Sequence, residues 1–333
     1  MRDPKPSSST SRRRLALVTV LLTAGCALGS AWAQGYPSKP VRMVVPWPGG
    51  GLVDVAARQL APRLQAALGQ SVVVDNRVGA GGAIGADLVA KAPADGHTLL
   101  FTTSALTMGA AMGARTPFDL LRDFEPVCLM AHAPQVLVVG PNINPGSVKE
   151  LVELARSRPG RLSYGSAGVG SPAHFAGELF KSLQGVYAVH IPYTGAPAAM
   201  NDQLAGRLDF QFANSAVALS QIRAGKVKAL AVSGQSRFAA LPEVPTMAEA
   251  GVSQFEASQW LGLLAPRGLP AAAKERLVAE CNRTLAADDV RSALVQSGMS
   301  AASAGTAAGF ETMLRAELDK WTQLARRANI KPD

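Results

Sequence analysis

The chain has 333 residues, of which 48% are hydrophobic, 17% charged and only 5% aromatic, while glycine and proline number 32 and 22. That length exceeds one ordinary hydrophobic core and suits two lobes of roughly 100 to 150 residues each. Of the formal charge of +9, four units come from the first 33 residues, and the other basic residues are dispersed without aromatic interleaving, which excludes a nucleic-acid surface.

Residues 1–33 read as a secretory leader: Arg12, Arg13 and Arg14 precede an apolar run from Leu15 to Leu28, and Ala31-Trp32-Ala33 offers a small-x-small cleavage site. The run is shorter than the roughly 20 residues of a spanning helix, so cleavage and release into the periplasm are expected, with a mature chain from near Gln34. Arginines at the leader's start also faintly resemble a twin-arginine signal, which leaves the export route open. Beyond the leader only Cys128 and Cys281 remain, and spacing alone leaves their pairing open.

Val41 to Val45 predicts a strand that leads through Pro46-Trp47-Pro48-Gly49-Gly50-Gly51 into a helix from Val53 to Leu68, with Leu60, Leu64 and Leu68 on one face. Val72 to Val74 and Thr98 to Thr102 follow as strands. Val136 to Val139 opens a second lobe, and Ser147-Val148-Lys149-Glu150 is a capping box for a helix ending before Pro159. Three strand-to-helix steps come next. Leu162 to Tyr164 enters Gly165-Ser166-Ala167-Gly168, His190 to Pro192 enters Tyr193-Thr194-Gly195, and Asp209 to Phe212 enters Ala213-Asn214. After Lys228 to Val232, the strand at Trp260 to Leu264 returns to the first lobe, and helices over 270–286 and 306–328 close the chain. The repeated strand, small-residue loop and amphipathic helix predict an α/β fold of mostly parallel sheets. Lobe 1 is expected over 34–133 and 255–333, and lobe 2 over 134–254.

In open α/β sheets ligands sit beyond the carboxyl ends of strands, where helix N-termini present free N–H groups. The loops beginning at Pro46, Thr103, Gly165 and Tyr193 have that character, and their cores hold no Lys or Arg. A small anion held by neutral amides and hydroxyls is the chemistry this composition favours. Asp54 opens the first helix, where it complements the helix dipole and stiffens the glycine loop; His174 is a cleft donor or a structural histidine.

Enzymatic alternatives fit poorly. Ser166 lacks the first glycine of a G-x-S-x-G elbow, Cys128 and His132 flank an interlobe strand, and four histidines make no metal pattern. Gly79-Ala80-Gly81-Gly82-Ala83-Ile84-Gly85 has its third glycine one position late for a dinucleotide loop, and no acidic ribose ligand follows. No cofactor is expected.

Tyr36-Pro37-Ser38-Lys39-Pro40, Val45-Pro46-Trp47-Pro48-Gly49-Gly50-Gly51, Asp75-Asn76-Arg77-Val78-Gly79-Ala80-Gly81-Gly82, Asp95-Gly96-His97-Thr98-Leu99-Leu100, Tyr164-Gly165-Ser166-Ala167-Gly168, His190-Ile191-Pro192-Tyr193 and Leu241-Pro242-Glu243-Val244-Pro245-Thr246 run in order along the mature chain. Together they resemble the Bug proteins, solute receptors of tripartite tricarboxylate transporters. The resemblance implies a type II periplasmic binding protein fold with a strand hinge, a monomer that passes a small carboxylate, a di- or tricarboxylate or an aromatic carboxylate, to membrane subunits, and no catalysis. It implies ligand contacts from Trp47, Gly50, Gly51, Leu52, Val53 and Asp54, from Ser166, Ala167 and Gly168, and from Tyr193, Thr194 and Gly195, partly through ordered water; Ser171 and His174 join the candidates by their position at a helix start. Thr103, Ser104, Ala213 and Asn214 complete the candidate set. Two departures matter: Val53 stands where such proteins often carry Ser or Thr, and Ala213 where they often carry Asp, so a ligand without an amine is expected. A receptor feeding a sensor, and a secreted hydrolase or dehydrogenase on the same lobes, are the competing readings.

Overall fold

The computed structural model describes residues 35–332, and the leader expected over 1–33 lies outside the described residues. Strand β1 (Val41–Val45) pairs in parallel with β2 (Val72–Asn76) and β3 (Thr98–Thr103). Helix α1 (Leu52–Leu68) buries Ala56, Ala57, Leu60, Leu64 and Leu68 on one face and stops at Gly69, whose N–H returns to Gln65 O. Helices α2 (Ala83–Ala90) and α3 (Ala105–Ala111) follow β2 and β3.

Strand β4 (Phe124–Ala133) carries the chain to Pro134, where it crosses into the second sheet as β5 (Gln135–Val139). The second lobe continues through α4 (Val148–Ser157), β6 (Ser163–Ser166), α5 (Pro172–Gln184), β7 (Val189–Pro192), α6 (Ala196–Leu204), β8 (Phe210–Asn214), α7 (Ser215–Arg223) and β9 (Lys228–Val232). The return segment lies beside the outgoing one: Gln135 N–H donates to Ser233 Oγ at 2.8 Å, and Ser233 N–H donates to Gln135 O at 2.9 Å. The chain then adds β10 (Gln259–Pro266), α8 (Ala271–Ala286), α9 (Asp288–Gln296), β11 (Ser300–Ala301) and α10 (Ala307–Arg327).

The strand orders are β11-β4-β10-β3-β1-β2 and β7-β6-β8-β5-β9. The two-lobe α/β architecture matches expectation, but the sheets are mixed rather than mostly parallel. The cause is the crossing itself, because β10 runs antiparallel to β3 and β4, and β5 antiparallel to β8 and β9. Such strands carry the chain between sheets and must point against their neighbours.

Each sheet is covered on both faces by helices, so the cores are apolar sandwiches. The division of the C-terminal segment differs from the expected 255–333. Phe310 and Leu314 of α10 pack with Trp260 and Leu264 of lobe 1, whereas Trp321, Leu324, Ala325 and Ile330 belong to the apolar cluster around Phe175 and Phe212 of lobe 2. Trp321 and Phe175 meet edge to face at 5.4 Å. Helix α3 is shared in the same way, with Leu106 in the first cluster and Met108 and Ala111 in the second. A helix of 21 residues is long enough to reach both cores, which a division made by sequence position does not register. Cys128 of β4 and Cys281 of α8 form a disulfide with Cα atoms 6.6 Å apart, tying that helix to the sheet of lobe 1.

Candidate functional site

The loop after β1 is held from behind. Asp54 accepts the Gly50 N–H at 2.8 Å, Arg58 Nε at 3.0 Å and Asn76 Nδ2 at 2.9 Å, and Asn76 Nδ2 also donates to Trp47 O at 3.0 Å. Burial opposes the charge of Asp54, but Arg58, the Gly50 amide and Asn76 outweigh it and hold the carboxyl below the usual carboxylate range. At 3% exposed, Asp54 fixes the loop without reaching the cleft. The second glycine loop packs beneath it: a Cβ at Gly85 would lie 2.7 Å from Arg77 O and 2.8 Å from Pro46 Cβ, so the backbones approach as only glycine permits.

At the end of β3, Thr102, Thr103 and Ser104 have hydroxyls with no partner among the described residues, as does Thr107 one turn on. Thr103 alone of these lines the cleft, while Ser104 is fully buried. Trp47 Nε1 is a further buried donor without a partner. Unpaired buried polar groups are costly, and two of these, on Thr103 and Trp47, belong to residues that line the cleft.

In lobe 2, Ser166 Oγ lies 2.6 Å from His190 Nε2 and accepts the Gly168 N–H at 3.1 Å. His174 Nδ1 accepts the Gly170 N–H at 3.1 Å, and the Ser171 hydroxyl caps α5 by accepting the His174 N–H at 3.3 Å. Burial, with Lys181 nearby, pushes His174 down to about 4; burial and His174 push His190 down to about 4, with Glu178 opposing. A serine and histidine at such a spacing were not foreseen from the sequence. Ser166 is 1% exposed and does not line the cleft, so the pair holds the turn rather than presenting a nucleophile. Tyr193 is likewise turned aside, its hydroxyl donating to Asp202 at 2.8 Å.

Asn214 caps α7 by accepting the Ala216 N–H at 2.9 Å, and its Nδ2 donates to Gln259 Oε1 at 3.0 Å. That bond joins lobe 2 to the first residue of β10 in lobe 1 across the cleft floor.

Between the lobes lies a cleft of about 1170 Å³. Of the expected residues, Trp47, Gly51, Leu52, Val53, Thr103, Ala167, Ser171 and Asn214 line it, and Ala213 lines a recess of about 70 Å³ that also meets Ser171, Asn214 and Gln259. Gly50 faces a separate interlobe groove, and Ser104, Ser166, Gly168, His174, Tyr193, Thr194 and Gly195 lie outside the lining, the last loop contributing Ala196 instead. Sequence reasoning missed Gln259, the α3 face at Ala105, Leu106, Gly109 and Ala110, and the Ala80-Gly81 loop that it weighed only as a nucleotide site. It also missed Arg115, Asp119 and Asp319, the charged residues of the lining. Gly109, a helix-weakening residue inside a short helix, was the local signal available for the α3 face. The lining thus combines neutral amides and hydroxyls with apolar walls.

The family described as "Tripartite tricarboxylate transporter family receptor" matches residues 56–330. The chain is 40% identical to "Protein BugT" of Bordetella pertussis over 258 residues, covering 77% of this chain and 79% of that protein. The solved structure described as "R. palustris Rpa4515 with adipate" is 34% identical with a TM-score of 0.76, covering 90% of this chain and all of that one. "MatC (Rpa3494) from Rhodopseudomonas palustris with bound malate" is 29% identical with a TM-score of 0.72, covering 87% of this chain and 99% of that one.

Proposed function

Since this chain belongs to the tripartite tricarboxylate transporter receptor family, we propose that it is a monomeric periplasmic receptor which captures a small carboxylate between its lobes and delivers it unchanged to the membrane subunits of such a transporter. The observation that carries the reading is an interlobe cleft lined from lobe 1 by Trp47, Gly51 and Thr103 and from lobe 2 by the Ala167 to Ser171 turn and Asn214, a neutral polar set between apolar walls. Preorganised amides and hydroxyls stabilise an anion without the desolvation cost of burying a lysine beside it. Adipate and malate in the related receptors support a carboxylate guest here.

The guest carries no ammonium group. Gln135, Ser171, Ala213, Asn214 and Gln259 line the inner recess, and among the described residues no acidic side chain joins them to pair with a cation. Calorimetric titration of the purified protein with mono-, di- and tricarboxylates tests the function, with aspartate and glutamate as the amine-bearing arm. Saturable binding of a carboxylate without chemical change is expected. Failure of every carboxylate, or turnover of one, removes the proposal, and tight binding confined to amino acids removes the statement about the amine.

A further inference from the structure

Resting on the receptor reading above, we propose that Gly109 is a specificity-determining residue: by leaving the α3 wall of the cleft open, it admits a carboxylate whose remaining body is apolar and the size of an aromatic ring.

Three observations converge. Gly109 lies inside a helix that lines the cleft, and a Cβ added there would meet nothing within 4 Å. Mid-helix glycine lowers helix stability relative to any ordinary residue, so its presence at a position with free space is a local cost with a steric result. Gly109 is among the residues that line the cleft, and the opposite side of α3 is packed, with Thr107 and Ala111 buried.

The second observation is the character of the walls. Trp47, Leu52, Leu106, Met112 and Val169 supply apolar surface around the gap. Such surface rewards an apolar guest at roughly 25 cal/mol per Å² buried, and an indole can stack on a ring. It gives nothing to a hydroxyl or a second carboxylate, which would lose water without gaining a partner.

The third is where charge stands. Among the described residues Arg115 is the one cation lining the cleft, and it is exposed, on the segment after α3. The acids of the lining, Asp119 and Asp319, are exposed too. A second or third carboxylate on the guest would meet two negative charges for one positive charge in water-screened surroundings. One carboxylate at the neutral loops and an apolar body toward α3 uses the neutral and apolar parts of the lining and leaves the exposed Arg115, Asp119 and Asp319 in water.

Calorimetric titration of the full mature protein with benzoate, phenylacetate, malate, adipate and neutral benzamide tests this. The aromatic monocarboxylates are expected to bind at least tenfold more tightly than malate or adipate, and benzamide not to bind. In Gly109→Leu the aromatic affinity should fall at least tenfold while the unfolding midpoint stays level or rises, since leucine is the better helix former. Malate or adipate binding as tightly as the aromatic acids overturns the inference and leaves the receptor reading intact. Undiminished aromatic affinity in a folded Gly109→Leu overturns it as well. Absence of binding by every carboxylate, or benzamide binding as well as benzoate, removes the receptor reading itself. The ligand series on the unaltered protein decides the matter even if the leucine variant does not fold.

Discussion

His174 and His190 stack ring on ring, with centroids 3.8 Å apart and planes 7° from parallel. Tyr164 covers the other face of His190 at 4.9 Å, and Tyr164 and Lys181 both donate to Glu178 at 2.6 Å. Both imidazoles are neutral in this stack, since His174 Nδ1 accepts the Gly170 N–H and a proton on either ring would face the other ring and Lys181. The turn that lines the cleft from Ala167 to Ser171 thus depends on two uncharged histidines.

The folded protein holds these rings at about 4, whereas an unfolded chain takes up protons near 6.5. Between those values the unfolded state binds more protons, so stability is complete above about 6.5 and is lost as the pH falls toward 4. For the buried His174 the loss is roughly 3 kcal/mol. Denaturant midpoints measured from pH 7.5 to 4 should fall steeply in this window. His174→Asn, which keeps an acceptor for Gly170 but does not titrate, should flatten the slope; an unchanged slope would detach the histidine from the pH response.

Asp54→Ala removes the acceptor for the Gly50 amide, Arg58 and Asn76 at once. The expected cost is about 1 to 3 kcal/mol, with ligand affinity down at least tenfold because the Trp47 loop loses its anchor. Asp54→Asn, retaining one acceptor oxygen, should lose less of both. Urea unfolding and calorimetry separate the two effects, and unaltered affinity in the alanine variant would refute the anchoring role.

Reduction of the Cys128–Cys281 bond, or its replacement by serines, opens a covalent link spanning 153 residues of sequence. A loss of about 2 to 4 kcal/mol is expected, read from urea curves with and without reductant. Ligand affinity should be preserved, since neither cysteine lines the cleft.

Gly298 of lobe 1 meets the start of α7 in lobe 2. Its carbonyl accepts the Ser215 hydroxyl, and a Cβ there would lie 2.6 Å from Ala216 N, with φ at +84 adding strain. Gly298→Ala should therefore destabilise by about 2 kcal/mol and push the lobes apart, which small-angle scattering would register as a larger radius of gyration. An unchanged radius together with unchanged stability would show that this contact does not fix the lobe arrangement.

Local pattern was legible where a residue's partners are near in sequence. The leucine spacing of α1 and the Ser147 and Glu150 cap of α4 appear as read, with Ser147 Oγ accepting the Glu150 N–H at 3.2 Å. Helix α3 was missed because its seven residues, Ala105 to Ala111, make fewer than two turns, too short a stretch for a period to stand out. The return of Gln259 to Asn214 and the burial of Trp321 against Phe175 depend on chain crossings that no periodicity records. Candidate loops could therefore be located, but not which of their side chains turn inward: Ser166 and Tyr193 sit in the right loops and spend their hydroxyls on His190 and Asp202.

The span of α10 from Phe310 in one core to Trp321 in the other means that the halves of this molecule are not interchangeable modules. A chimera that borrows one half from a related receptor inherits a mismatched seam at Trp321 and Phe175 unless the C-terminal helix and its seat travel together. New ligand preferences are then reached more readily by point changes along the cavity wall than by shuffling whole lobes.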